Sequence, residues 1–153
     1  MTVVKNRLTC YILKVLDITI KTIPHRQQVY ETCGDYREKD GKTAITVSAL
    51  ADWRMEALVA VHELVEYFLI KNASIPIKDI DRFDIDFEHA RNRGLVGKDD
   101  EPGDAPDAPY RKQHFRATNL ERQLADNLGV NWRDYENFLA NLYGVCHRRK
   151  KRP

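Results

Sequence analysis

The chain has 153 residues, 42% hydrophobic and 31% charged, with a net charge of +2, the size and balance of one domain with a buried core. No apolar run reaches the roughly 18 residues of a membrane span, and the start, broken by Lys14 and Asp17, lacks the cleavage site of a signal peptide. Cys10, Cys33 and Cys146 form no C-x-x-C pair, which argues against a disulfide framework or thiolate zinc site and fits a reducing cytoplasm.

Residues 1–17 read as a lead-in, weakly helical or irregular. "ITIKTI" (Ile18–Ile23) alternates apolar and polar residues, the period of a half-buried strand. "QQVYETCGDY" continues in β-like composition, Asp40-Gly41 supplies a hairpin turn, and "TAITVSAL" is the returning strand. The first third therefore predicts a small antiparallel sheet. A first helix runs from an Asp52 cap to Lys71, and "NASIP" breaks it. A second runs from about Asp79 to Arg93, with Ile80, Phe83, Phe87 and Ala90 on one stripe and Gly94 as its stop. The loop "DDEPGDAPD" then holds five acids and no base. A third helix takes Asp107 as cap, carries Pro109 in its first turn and ends at Gly129. A fourth is capped by Asn131 and stops at Gly144. Residues 146–153, with five Lys or Arg in a row before Pro153, have no apolar partner and are expected to form a disordered tail. A sheet followed by about four helices is an α+β fold, with one domain over residues 18–145.

Chemistry concentrates in "WRMEALVAVHELVEYFL" (Trp53–Leu69). On a helical wheel Ala57, Leu58, Val61, Val65 and Phe68 form one apolar arc with His62 on its rim. Glu66 falls about 40° further round, among Met55, Val59, Leu69 and Ile70. A carboxylate interleaved with such residues needs a cation, a donor or a shared proton, because burying it alone costs several kcal/mol. His62 and Glu66, at i and i+4, project from one face and can bind one ion, while Glu63 is placed to take a proton from an activated water. The plainer reading is a core-edge histidine hydrogen-bonded to Glu66 or to the backbone.

The third helix repeats the arrangement. Its apolar arc is Tyr110, Ala117, Leu120, Leu124 and Leu128, with His114 and Glu121 on the rim. If the two helices pack together, His62, Glu66 and His114 supply three zinc ligands and leave one position open, as a catalytic zinc requires. Glu121 is about 10.5 Å along the axis from His114, so it suits an outer role, orienting an imidazole or pairing with an arginine. The plainer alternative is a pair of surface residues. Asp100, Glu101 and Asp104 offer a hard-cation site without EF-hand spacing, His89 is a spare ligand, and His25 reads as structural. The basic run Arg148–Arg152 offers weak, salt-sensitive contact with nucleic acid and has no stacking platform for bases. No G-x-S-x-G, P-loop or dinucleotide fingerprint is present.

A strand "TAITVSAL" leading into a helix with "HELVE" resembles the minimal core of zincin metallopeptidases, over roughly residues 18–72. That resemblance implies His62 as a zinc ligand, Glu63 as general base and a substrate chain along the edge strand. The departure is Glu66, where zincins carry a second histidine. Three stretches in this order, "IPHRQQVYETCGDY", "DWRMEALVAVHELVE" and "EPGDAPDAPYRKQH", also resemble small uncharacterised proteins of bacteriophages and prophages, which implies a host-cytoplasm setting and no particular activity. Three functions are thus carried forward. One is a zinc-dependent, peptidase-like hydrolase acting on a peptide or host protein. The second is an all-α, Mg²⁺-dependent nucleotide pyrophosphohydrolase using Glu63, Glu66 and Glu88 or Glu121. The third is a non-catalytic accessory protein that binds a host factor, the same residues forming a structural metal site or a buried polar network.

Overall fold

The computed structural model describes residues 16–98 and 100–150, so the lead-in up to residue 15 lies outside the described residues. A three-stranded sheet opens the fold: β1 (Ile18–Ile23), β2 (Gly34–Lys39) and β3 (Lys42–Ser48), in the order β1-β3-β2. Four helices follow, α1 (Trp53–Asn72), α2 (Ile77–Asn92), α3 (Arg111–Leu128) and α4 (Trp132–Lys150), with short 3-10 turns at His25–Gln27 and Pro102–Asp104. The chain is therefore α+β, sheet first and helices after. None of the described helices is long and apolar enough to cross a membrane.

The β2–β3 hairpin turns through Asp40 (φ 52°) and Gly41 (φ 76°), and Lys39 pairs with Lys42 across it. Two successive positive φ angles give a two-residue turn that matches the twist of the strands, which is why Asp-Gly stands there. β2 is antiparallel to β3, but β1 runs parallel to it, Ile18 opposite Thr43 through Ile23 opposite Ser48. The sheet is thus mixed rather than antiparallel throughout. Segment 24–33 carries the chain from one edge of the sheet to the other, and alternation within an edge strand reads alike for both directions. The central strand buries Thr43, Ile45 and Val47, while Ile20 on the β1 edge stays 46% exposed.

Asp52 caps α1, accepting from the Arg54 backbone N–H at 2.9 Å. The helix packs against the sheet on one side and α3 on the other. A helix apolar on most sides is buried on most sides, so its sequence singles out no face. The expected arc is buried only in part: Leu58 is fully buried but Phe68 is 38% exposed, whereas Val59, Glu66, Tyr67 and Ile70, off that arc, are buried. Glu66 thus lies inside the core. α3 shows a similar shift, with Tyr110 and Ala117 of its expected arc buried. His114, Ala117, Glu121 and Ala125, spaced as one helical stripe, are its buried residues, and Leu120 is 45% exposed. The expected rim is the centre of the buried face.

Helix ends follow the local signals in part. Gly129, at φ 65°, closes α3 with the left-handed cap that favours glycine. Asn131 accepts from the Asp134 backbone N–H at 3.1 Å, as a cap of α4 should. Asp107 does not cap α3, whose N-cap is Tyr110 without a side-chain bond. The chain after Pro109 begins its helix two residues beyond the proline. α4 also runs through Gly144 to Lys150, so residues 146–150 of the expected disordered tail are helical and 151–153 lie outside the described residues. A glycine inside a helix costs only about 1 kcal/mol, and no proline follows until the last residue.

Candidate metal centre

The contact between α1 and α3 brings His62, Glu66 and His114 together. His62 Nε2 is 3.2 Å from His114 Nδ1, His114 Nδ1 is 3.0 Å from Glu66 Oε2, and His62 Nε2 is 3.5 Å from the same oxygen. The two imidazole rings meet edge to face, 4.7 Å between centroids. These three atoms form a group suited to a metal ion. Bonds of about 2.0–2.2 Å to a tetrahedral zinc separate neighbouring ligand atoms by roughly 3.3–3.6 Å. The observed triangle has edges close to that size.

Each member of the trio is held from behind. His62 Nδ1 lies 2.9 Å from Glu121 Oε2, and Glu121 Oε1 accepts from the Tyr135 hydroxyl at 2.5 Å. Tyr36 donates its hydroxyl to Glu66 Oε1 at 3.0 Å, so that oxygen is occupied while Oε2 faces the imidazoles. His114 Nε2 faces Glu101 Oε2 at 3.5 Å and Asp104 Oδ1 at 3.8 Å, and its ring lies so close to Gly103 that a Cβ there would come within 2.4 Å of it. A carboxylate accepts hydrogen bonds only, so these outer partners keep the protons of neutral rings on His62 Nδ1 and His114 Nε2. The lone pairs of His62 Nε2 and His114 Nδ1 then converge on each other and on Glu66 Oε2. Three acceptors at this spacing repel unless protons or a cation lie among them.

The charges reflect that demand. Burial works against a charged His62, yet hydrogen bonds to Glu121 and Glu66 hold its pKa well above the usual imidazole value. His114 is likewise held up to about 9 against burial, by Glu101 and Glu66. Glu66, despite burial that favours its neutral form, is drawn down to about 2 by His114 and His62. Burial and then the neighbouring Glu66 charge push Glu63 up to about 8.

Glu63 is not part of the trio. Its carboxyl lies against β2, where a Cβ on Gly34 would fall 2.4 Å from Glu63 Oε1 and 2.5 Å from its Cγ. Glycine is required at 34 because the whole Glu63 side chain occupies that space. Gly34→Ala is expected to cost about 1–3 kcal/mol, the range for overpacking, with the trio's metal affinity unchanged. Parallel thermal melts and metal titrations of that variant check both parts.

Glu63 and the trio line one cavity of about 560 Å³, together with Tyr30, Asp84, Tyr110 and Glu101. Glu121, expected in an outer role from its distance along the helix, stands behind His62. Glu101 and Asp104 turn to His114, while Asp100 turns away to accept from the Gly97 backbone N–H at 2.7 Å. His25 lies between Ser48 and Glu31, apart from the trio, and His89 is exposed. The oxygens proposed for Mg²⁺ do not gather: Glu88 pairs with Arg91 and Glu121 with His62. The three-stranded sheet also differs from the all-α fold that the pyrophosphohydrolase reading calls for. Tyr36 and Tyr135 were not legible as site residues, since nothing local marks a tyrosine 30 residues before its carboxylate partner. No known family, curated protein or solved structure matches the chain.

Proposed function

We propose that the protein is a zinc-dependent hydrolase of peptide or related amide bonds, with His62 Nε2, Glu66 Oε2 and His114 Nδ1 as ligands and Glu63 as general base. One observation carries this reading: three buried ligand atoms from two helices stand 3.0–3.5 Å apart, each ring nitrogen backed by a carboxylate. Two imidazoles and one carboxylate are an established catalytic zinc set, closed on the protein side and open at a fourth position. A bound zinc supplies Lewis acidity and an activated water at neutral pH.

This chain's residues supply the rest. Glu121 and the Glu101–Asp104 turn fix which imidazole nitrogens face inward, and Tyr36 keeps Glu66 on one oxygen. Glu63, raised to about 8 by burial and Glu66, holds a proton close to neutral pH. A dication nearby lowers that value into the range where a group both takes and returns a proton. Against the Mg²⁺ alternative stands the donor chemistry, since two imidazoles suit zinc and a hard cation prefers oxygens.

Elemental analysis of protein purified without a histidine tag tests the ligand set, with about one zinc per chain expected. Glu63→Gln separates base from ligand. It is expected to retain zinc and to lower hydrolysis of a peptide library by about 10²-fold or more, the contribution of a positioned base. Loss of zinc in that variant would reverse the assignment of Glu63 and Glu66. A metal-free protein with the trio intact would leave the non-catalytic reading, a buried histidine–carboxylate network.

A further inference from the structure

The cavity is strongly acidic. Its lining holds eleven carboxylates and two arginines, Arg91 and Arg122. Most of the carboxylates are matched. Asp35 and Asp81 take Arg37, Glu88 takes Arg91, Glu136 takes Arg122 and Glu31 faces His25. Four others surround the two site imidazoles. Among the described residues this leaves Glu63, the general base of the reading above, and Asp84.

Asp84 is an unusual carboxylate for its place. It is 7% exposed, sits on α2 in the cavity wall, and among the described residues accepts from two phenols, Tyr110 at 2.7 Å and Tyr30 at 3.4 Å. A carboxylate has about four acceptor sites, so two remain. The Tyr110 ring, whose hydroxyl reaches Asp84, meets the His114 ring edge-on at 6.2 Å between centroids. Asp84 is therefore one phenol ring away from a ligand of the candidate centre. Tyr30, Tyr110 and Phe87 line the same cavity, and Phe87 already carries the Arg91 guanidinium 5.3 Å above its ring. A buried carboxylate flanked by aromatic rings is complementary to an organic cation.

We propose that Asp84 docks an ammonium group of the ligand, so that the substrate class, resting on the hydrolase reading above, is an amine-bearing peptide or amide. Anionic substrates are disfavoured by the same wall. Burial raises the Asp84 carboxyl to about 7 even though the Tyr110 hydrogen bond works the other way. A cation against it would stabilise the charged form, which the protein alone leaves uncompensated.

The test uses the metal-free protein in chelator, because a free amine can itself ligate zinc. Benzylammonium and the neutral benzyl alcohol, of like shape, are titrated at pH 7 and followed by NMR shifts. The ammonium is expected to bind about tenfold or more tightly than the alcohol, the return on a charge-assisted hydrogen bond. Asp84→Asn, which keeps an acceptor for Tyr110, is expected to bring the two affinities together. Equal binding of the two probes by the unaltered protein would overturn the proposal, with no variant required. Retention of the preference in a folded Asp84→Asn would overturn it equally. Zinc content plays no part in this readout, so the metal reading and the ammonium site fail separately.

Discussion

Glu66→Ala is expected to abolish zinc binding at micromolar metal and to destabilise the protein by about 3–5 kcal/mol, the cost of breaking a buried charge pair from one side. Glu66 is 5% exposed and serves three partners at once. Without it the Tyr36 hydroxyl loses its acceptor, and His62 Nε2 and His114 Nδ1 face each other at 3.2 Å with no carboxylate on their inward side. Two imidazoles alone also make a poor zinc site, so the metal no longer offsets the loss. For a chain of this size the shift in melting temperature is on the order of 10 °C. Glu66→Gln sharpens the test, because it keeps the Tyr36 bond and the shape while removing the charge. It should fall between the two proteins in both stability and zinc affinity. If Glu66→Ala melted within about 0.5 kcal/mol of the parent, an ordinary surface effect, the trio would be a polar border and no metal centre.

The sequence carried the parts of this arrangement but not their depth. Spacing alone placed His62 and Glu66 on one face of a helix, and Asp52, Gly129 and Asn131 marked the helix ends because their chemistry is local. The hairpin at Asp40-Gly41 was legible for the same reason. Burial was not. α1 is apolar nearly all round, so periodicity favoured the arc from Leu58 to Phe68, and packing between sheet and α3 buried Leu58 and the sector through Glu66 while leaving Phe68 exposed. On α3 the Leu120 arc outweighed His114 and Glu121 by hydrophobicity, yet those two face α1 because each pairs with a group on it. Long-range partners such as Tyr36 and Asp84 had no local signal, and the acidic loop marked Glu101 without its pairing to His114. The direction of β1 depended on how segment 24–33 crosses the sheet, which composition does not encode.

Zinc and pH should act on stability with opposite slopes. In the metal-free protein His114 is held up to about 9 and His62 is also raised, each by carboxylates acting against burial. Stability from a raised imidazole is full below its unfolded value near 6.5 and is lost as pH climbs through the folded value. Asp84 and Glu63, raised by burial to about 7 and about 8, have the same sign, because the unfolded chain releases their protons near pH 4 and the folded chain keeps them. Glu66, drawn down to about 2 by His114 and His62 against its burial, and Glu101, lowered by His114 against its burial, work the other way, below about pH 4.5. Metal-free protein in chelator should therefore melt at a lower temperature at pH 8.5 than at pH 5.5. Zinc reverses the trend, since it binds only after His62 Nε2 and His114 Nδ1 have lost any proton they hold, so its affinity rises with pH. At a free concentration 1,000 times the dissociation constant it adds about 4 kcal/mol, on the order of 10 °C for a domain of this size. At pH 5.5 protons compete for the same two nitrogens and most of that gain should vanish. Melting curves at both pH values, with zinc and with chelator, give four numbers. A zinc-induced rise of equal size at pH 5.5 and 8.5 would mean that the ion sits on carboxylates elsewhere and that these imidazoles do not hold it.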